Sequence, residues 1–302
     1  MGKLFWYLNR LQAMDLQEVC WRVQQRLLVK AEKRRFGKQR VRVDGEVWND
    51  ALRELGFDAG ALGINLDNAH YSTITEVHRL QGPDYGKWPD TFSYDLTYKQ
   101  RDDLGDARTC WEKHRHFRFA LLAKAAYVSG DSRLLAYLND EQDRWCEQHT
   151  FLHGIAWTSV MEVAIRAVNW MVTLAFCKDE KLAARLRTGV INMTDYLTRH
   201  YSRFSSANNH LLVEAAAIGL AGYAFGYRPW KELGMALLSK ELLNQNYEDG
   251  VNKELSLHYQ TFGMEAYCLM MRAMQAHDDE IPTTCYRMLS KQAEYVAHSL
   301  WN

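Results

Sequence analysis

The sequence predicts an all-α protein in which most of the chain forms an incomplete α/α toroid of helical hairpins. Three observations support this prediction: apolar residues recur with a helical period, the helices fall into pairs, and the two helices of each pair differ in charge. The period is clearest at Met161, Ala164, Ile165, Val168 and Val172. These residues share one face of a helix with about 3.6 residues per turn.

From residue 108 onward, helical segments follow one another with short breaks. We place them at residues 108–129, 132–149, 158–177, 179–201, 208–225, 228–246, 256–277 and 282–301. Gly130-Asp131, Pro229 and Pro282 stand at the breaks, where Gly and Pro suit helix ends and first turns. Taken in pairs, the helices begin about every fifty residues, and a repeat of that size is typical of stacked hairpins.

In three of the four pairs the first helix is nearly free of charge. Residues 155–176 contain only two Asp, Glu, Lys or Arg residues, Glu162 and Arg166. Residues 205–226 contain only Glu214, and residues 256–270 only Glu265. A helix that is apolar all round is buried, whereas the highly charged partner helices face water. The sequence therefore predicts an inner and an outer layer of helices.

The first part of the chain is organised differently. Residues 1 to about 36 predict amphipathic helices, whereas Gly and Pro interrupt the pattern between residues 37 and 105. Short runs such as Val41-Arg42-Val43 favour a strand or two in this irregular stretch. We therefore divide the chain into an N-terminal region packed on the body, residues 1–105, and a toroid domain, residues 106–302.

Composition argues against several classes of protein. Lys plus Arg and Asp plus Glu number 37 each, so the basic excess of a nucleic-acid binder is lacking. The sequence predicts no transmembrane helix and, because Lys3, Asn9 and Arg10 interrupt the first apolar residues, no signal peptide. Localisation stays open: cytoplasmic as the chain stands, periplasmic or secreted if a signal was removed. No CxxC pair predicts a zinc site, and we expect neither a metal nor a cofactor.

The inner helices carry their polar residues near their N-terminal ends. In a stack of parallel helices these ends lie together on one rim. Helix N-termini also carry partial positive charge and free N–H groups, which favour a bound carboxylate or sulfate. The residues at the four ends are Trp111, His114 and His116; Trp157, Glu162 and Arg166; Asn208, Asn209 and His210; and Ser256, His258 and Tyr259.

Several of these residues also have a structural interpretation. Glu162 and Arg166, four residues apart, suit a buried ion pair. Glu214 and Glu265 recur at nearly the same repeat position as Glu162, which favours a structural role for all three. Asn208 or Asn209 suits a helix cap, and Tyr259 suits a core aromatic. Individually these residues are not specific, and the prediction of a site depends on their convergence.

Three motifs follow one another along the chain: Met161-Glu162-Val163-Ala164-Ile165-Arg166-Ala167-Val168-Asn169-Trp170, Asn208-Asn209-His210 and Asp249-Gly250-x-x-x-Glu254-x-Ser256-x-x-Tyr259. In this order they resemble the heparinase II/III family of polysaccharide lyases. The resemblance runs from about Trp111 to the last residue. It implies an α/α toroid followed by an antiparallel β-sandwich, with the cleft between them. It also implies β-elimination at a uronic acid of an anionic polysaccharide or oligosaccharide, with or without sulfate groups.

The resemblance further implies roles for individual residues. Removing the C5 proton beside a carboxylate builds up a second negative charge, so the enzyme must neutralise the carboxylate and supply a base and an acid. Asn209 and His210 would hold the carboxylate or assist in proton removal, and Tyr259 would be the acid, and the base for one epimer. Arg166 would bind a substrate carboxylate or sulfate. The other expected substrate contacts are Trp111, His114, His116, Trp157 and Asn208, and the expected structural supports are Glu162, Glu214, Glu254 and Glu265.

The sequence ends about where the family enters its β-sandwich. We therefore expect the full-length protein to carry that second domain, and this chain alone to turn substrate over slowly or not at all. Three alternatives stay open. One is a catalytically silent glycan-binding toroid, and another is an inverting glycoside hydrolase, which needs two carboxylates about 6.5–9.5 Å apart. The third is a helical scaffold for protein partners, against which the polar rim argues.

Overall fold

The computed structural model describes residues 14–64, 66, 83–101 and 103–300. Within them the regular structure is helical, apart from two isolated β-bridges, which confirms the predicted all-α class. The α-helices of this part are α1 Leu16–Phe36, α2 Ala107–His114, α3 Phe117–Ser129, α4 Ser132–Gln148, α5 Val160–Phe176, α6 Glu180–His200, α7 Asn209–Ala224, α8 Arg228–Asn244, α9 Leu257–Ala276 and α10 Thr283–Leu300.

The helices from α3 onward form two layers. Helices α3, α5, α7 and α9 pack side by side in that order, and α4, α6, α8 and α10 each pack against the inner helix that precedes them. The C-terminal halves of all four inner helices line one groove of about 460 Å³, through residues such as Lys124, Met171, Leu220 and Leu269. The inner helices are therefore parallel, and their N-terminal ends meet at the opposite end of the array.

Local signals in the sequence set most helix boundaries. Asp131 and Asp179 accept hydrogen bonds from backbone N–H groups of the first turns of α4 and α6, which satisfies donors that have no partner within the helix. Gly130 ends α3 with a left-handed φ of 70°, a conformation that glycine adopts without strain. Pro229 lies in the first turn of α8, as predicted.

Helices α7 and α8 pack unusually closely because both carry glycine at the contact. A Cβ atom added at Gly222 or Gly234 would lie under 3.0 Å from backbone atoms of the facing helix. Gly234 faces Gly219 directly. Side chains at these positions would force the two helices apart, so the glycines set the interhelical distance.

The predicted helix at 108–129 is divided into α2 and α3, which corrects the sequence analysis. The chain turns at His116, whose φ of 61° lies in the left-handed region. Non-glycine residues rarely adopt this conformation, although His does so more often than most. His116 is held there by a hydrogen bond from Trp170 Nε1 to its Nδ1 (2.8 Å) and by stacking on Phe119.

The described part of the N-terminal region packs against the array. Buried Glu32 of α1 lies 2.8 Å from His200 Nε2 at the end of α6, and Asp58 N–H donates to the Ala224 carbonyl. The strand predicted at Val41-Arg42-Val43 is wrong: this run is irregular, and the Val43 carbonyl accepts from the Asn192 side chain rather than from a strand. Of the helices predicted over residues 1 to about 36, residues 1–13 lie outside the described residues. The division at residue 105 remains a prediction.

No helix in the described ranges is long and apolar enough to cross a membrane.

Candidate functional site

The N-terminal ends of the inner helices form one rim of the array. At this rim an ion pair joins the turn before α3 to the first turn of α5. Arg115 Nε donates to Glu162 Oε2 (2.6 Å) and its Nη2 donates to Oε1 (3.0 Å). The glutamate side chain is 1% exposed and the arginine side chain 22%. The pair expected between Glu162 and Arg166 is therefore wrong, because the turn at His116 directs Arg115 toward this carboxylate.

The Asn-His motif lies next along the rim, at the start of α7. Asn208 caps the helix, since its Oδ1 accepts from the His210 backbone N–H (3.1 Å). The Asn209 N–H donates to Glu254 Oε1 (3.2 Å), and the buried Asn209 Oδ1 has no hydrogen-bond partner. Burial lowers the pKa of His210, and Glu162 and Glu254 offset this in part. Near neutral pH the half-buried imidazole is therefore neutral and able to accept a proton.

Tyr259 lies in the first turn of α9, and 40% of its surface is exposed. Its phenol is close enough to α2 to contribute to the raised pKa of Arg108, whose main cause is the hydrogen bond with Asp106. His210 and Tyr259 thus belong to the same end of the array, because both open inner helices that run parallel. The three predicted catalytic residues therefore lie at one rim of the array: Asn209, His210 and Tyr259.

An open groove of about 610 Å³ lies beside α2. Tyr98 and Trp111 supply two aromatic rings in T-shaped contact, with centroids 5.2 Å apart. Trp111 Nε1 donates to the Ile155 carbonyl and to Thr158 Oγ1, which fixes its ring. Lys99, Arg101 and Arg108 line the same groove, and the two arginines are paired with Asp103 and Asp106. Aromatic faces together with cations suit an anionic sugar.

Four of the predicted substrate contacts lie behind the rim instead of on it. His114, His116, Trp157 and Arg166 are at most 2% exposed. Arg166 donates from Nε to the His114 carbonyl and from Nη2 to the Ala156 carbonyl, both at 2.7 Å. A direct contact between these four side chains and a polysaccharide is therefore contradicted, because aromatic rings and backbone carbonyls surround them.

The other glutamates that were predicted to support the site differ in burial and in hydrogen-bond partners. Glu214 is fully buried, with its two oxygens accepting from Ser202 N (2.6 Å) and Ser202 Oγ (3.0 Å). Burial raises its pKa to about 8. Glu254 is exposed and contacts the Asn209 backbone. Glu265 is also exposed, so its predicted supporting role is wrong: it lies on the side of α9 that none of the described elements covers.

Sequence reasoning missed Arg115, Arg108 and Tyr98. Arg115 stands between two histidines, but only the left-handed turn after it shows which residue it contacts. Arg108 and Tyr98 flank the boundary between the irregular region and α2, where periodicity carries no signal. Among the described side chains, no group of three or more His, Cys, Asp or Glu is arranged to hold a metal ion.

The chemistry available at the rim consists of a neutral imidazole, an amide and a phenol. The amide of Asn209 has an unpaired oxygen and an N–H pair, so it can share hydrogen bonds with a carboxylic acid or its anion. His210 and Tyr259 can each accept or donate a proton. Arg115 lies there in an ion pair with Glu162, and Arg108 in one with Asp106. This set can stabilise and deprotonate the position next to a bound carboxylate.

A family described as heparinase II/III N-terminus matches residues 10–300. Among curated proteins, a heparin-sulfate lyase of Bacteroides thetaiotaomicron is 26% identical over 200 residues, which cover 61% of this chain and 28% of the relative. A second heparin-sulfate lyase, from Bacteroides stercoris, is 23% identical over 217 residues, which cover 62% of this chain and 32% of that relative. The chain thus spans about a third or less of the length of these relatives.

Solved structures share the fold. A crystal structure of heparinase III superposes with a TM-score of 0.57 at 20% identity, over 89% of this chain and 42% of that one. A mutant heparan sulfate lyase from Pedobacter heparinus superposes with a TM-score of 0.51 at 18% identity, over 89% of this chain and 43% of that one. At this level of identity the likeness establishes the helical architecture alone.

Proposed function

The chain belongs to the heparinase II/III family, and on that premise we propose that it is the toroid domain of a polysaccharide lyase. The substrate is a uronic-acid polymer of the heparin and heparan sulfate type, with sulfate groups. The reaction is β-elimination: the C5 proton is removed and the 4-linked sugar leaves.

The observation that carries this proposal is the position of Asn209, His210 and Tyr259 on one rim. In the proposed complex the substrate carboxylate accepts hydrogen bonds from the Asn209 amide. Such contacts stabilise the second negative charge that forms when the C5 proton leaves. His210 is neutral near pH 7 because burial lowers its pKa, so its imidazole can accept the C5 proton, while Tyr259 donates its phenolic proton to the leaving oxygen.

The groove beside α2 would bind the polymer on either side of the cleaved bond. Its rings, Tyr98 and Trp111, would stack against sugar faces, and the nearby cations would pair with sulfate or carboxylate groups. A second domain, the family's β-sandwich in the full-length protein, would form the opposite wall of the cleft. The chain alone is expected to bind weakly and to be slow or inactive.

The arrangement of carboxylates does not favour hydrolysis. An inverting hydrolase needs one carboxylic acid and one carboxylate, both facing the sugar. Glu162 is occupied by Arg115 and Glu214 by Ser202, and both are at most 1% exposed. Neither side chain is free to act on a bound substrate.

The test is to incubate the full-length protein with a panel of polymers: heparin, heparan sulfate, chondroitin sulfate, hyaluronan and alginate. A lyase produces a C4–C5 double bond, which is followed by ultraviolet absorbance and by mass spectrometry. Saturated products would identify a hydrolase instead. Binding of a polymer without any product would identify a catalytically silent glycan-binding protein.

A further inference from the structure

Five buried polar atoms without a hydrogen-bond partner belong to side chains that pack around Arg166. Folded proteins leave few buried polar groups unpaired, so a local concentration of them indicates a missing ligand or water. The five atoms are Tyr85 Oη, His114 Nε2, His116 Nε2, His149 Nε2 and Arg166 Nη1.

These side chains are in mutual contact. The Tyr85 ring stacks on the His114 ring with centroids 4.7 Å apart, and the His149 ring meets the His114 ring edge-on at 4.6 Å. His116 lies 6.3 Å from Tyr85 between ring centroids. The positive charge of Arg166 contributes to lowering the pKa of all three histidines, after burial as the main cause. The five unpaired atoms therefore belong to one cluster.

The hydrogen bonds around the two innermost histidines fix which ring nitrogen carries the proton. Trp145 Nε1 donates to His114 Nδ1 (2.9 Å), and Trp170 Nε1 donates to His116 Nδ1 (2.8 Å). A neutral imidazole that accepts at Nδ1 has its N–H at Nε2. The unpaired Nε2 atoms of both histidines are therefore donors, as is Nη1 of Arg166. At least three buried donors lack an acceptor.

The cluster also contains an unbalanced positive charge. Burial lowers the pKa of Arg166 to about 10, which still leaves it protonated at neutral pH. Its hydrogen bonds go to two backbone carbonyls, and its guanidinium lies over the rings of Trp145 and Trp157. Glu162 acts on it electrostatically, but the oxygens of that carboxylate accept from Arg115.

We propose that a single chloride ion occupies this cluster, bound by Arg166 Nη1 and by the Nε2–H groups of His114 and His116. An anion supplies both the acceptor and the compensating charge, whereas a water molecule supplies only the acceptor. A monatomic ion suits the cluster best, because its rings are in direct contact with one another and a tetrahedral group would need more of them to move apart. A metal cation does not suit these donors, since N–H groups and an arginine repel it.

The ion would hold the turn at residues 114–116 in place. His116 forms that turn with a left-handed backbone, and Arg115 within it reaches Glu162 at the rim. The ion would thus stabilise the support of the candidate site from behind, without touching substrate. It would be bound whether or not the chain takes part in lyase chemistry.

A crystal grown in sodium bromide tests the site directly, since bromide replaces chloride and scatters anomalously. The expected result is an anomalous peak within contact distance of Arg166 Nη1 and His116 Nε2. A well-ordered water at that position with no anomalous signal would overturn the proposal. So would bromide that binds only on the protein surface.

Thermal melting in solution gives an independent measurement. A ligand that binds only the folded state raises the melting temperature with its concentration. We expect the melting temperature to rise when chloride or bromide replaces gluconate at constant ionic strength. Arg166→Met should abolish this rise, whereas Lys240→Met, which removes an exposed cation of α8, should leave it intact. A rise of equal size in both variants, or no rise in the wild type, would reject the site; if Arg166→Met does not fold, the bromide crystal decides.

Discussion

Arg115 and Glu162 form a two-bond ion pair that joins the entrance of α3 to the first turn of α5, across 47 residues of sequence. The carboxylate is 1% exposed, so its charge depends on the arginine for compensation. The pair also lies on the same rim as His210, whose pKa it affects through Glu162. It is therefore both a structural link and part of the electrostatics of the candidate site.

Glu162→Gln should lower the free energy of unfolding by about 2–3 kcal/mol. Breaking a buried ion pair costs about 3–5 kcal/mol, and the partial exposure of Arg115 reduces this loss. Urea denaturation followed by circular dichroism measures it. The matched control is Glu265→Gln, which changes an exposed glutamate of another inner helix and should alter stability by less than about 0.5 kcal/mol. Equal midpoints for the two variants would contradict the structural importance of the pair.

Tyr259→Phe should reduce kcat in the full-length protein by at least about 10²-fold, the scale on which a general acid contributes. KM should change little, because the substitution removes one hydroxyl and almost no volume. Tyr286→Phe, at a partly exposed tyrosine of α10, is the control and should retain wild-type turnover. Retention of full activity by Tyr259→Phe would remove this residue from the mechanism.

Glu214→Gln should stabilise the protein at alkaline pH. Burial raises the pKa of Glu214 from 4.5 to about 8, so the folded protein retains a proton that the unfolded chain releases. Stability is therefore lost as pH rises from 4.5 toward 8. Glutamine resembles the protonated acid and removes this loss, so the variant should gain on the order of 3 kcal/mol at pH 8 and little at pH 4.5. Denaturation curves across that range measure the difference, and exposed Glu280→Gln should show no such pH-dependent gain.

Gly234→Ala should destabilise the protein by about 1–3 kcal/mol, the usual cost of overpacking. The new methyl group would lie under 3.0 Å from the backbone of α7, so α8 would have to move. Gly56→Ala is the control, because a Cβ atom there has no neighbour within 4 Å. A melting temperature for Gly234→Ala equal to that of the control would show that α7 and α8 can separate without cost.

Features that depend on neighbouring residues in the sequence were predicted well. The order of hairpins follows from helical periodicity, and Gly130 and Pro229 mark ends that the structure confirms. These signals are local, because a glycine after a helix or a proline in its first turn acts on its own backbone. The two layers were also predictable, since three of the four inner helices are nearly uncharged.

Features that depend on contacts between distant segments were not predictable. The spacing of Glu162 and Arg166 suggested a pair, but the fold gives the glutamate a partner from the preceding hairpin. The turn at His116 has no glycine or proline to mark it, because tertiary contacts with Trp170 and Phe119 hold its backbone. Repeat position suggested that Glu265 resembles Glu214, yet burial depends on which neighbours cover each helix.

The unequal covering of the inner helices has a consequence for local unfolding. In α7, 15 of 16 residues are buried, whereas in α9 only 7 of 20 are. Helices with few buried contacts open at a lower free energy than those in the centre of a domain. Amide hydrogens of α9 should therefore exchange with solvent well before those of α7. Tyr259, the proposed acid, lies in the first turn of α9 and would therefore belong to a segment that opens readily. His210, proposed to take part in proton removal, lies in the first turn of α7, which opens rarely.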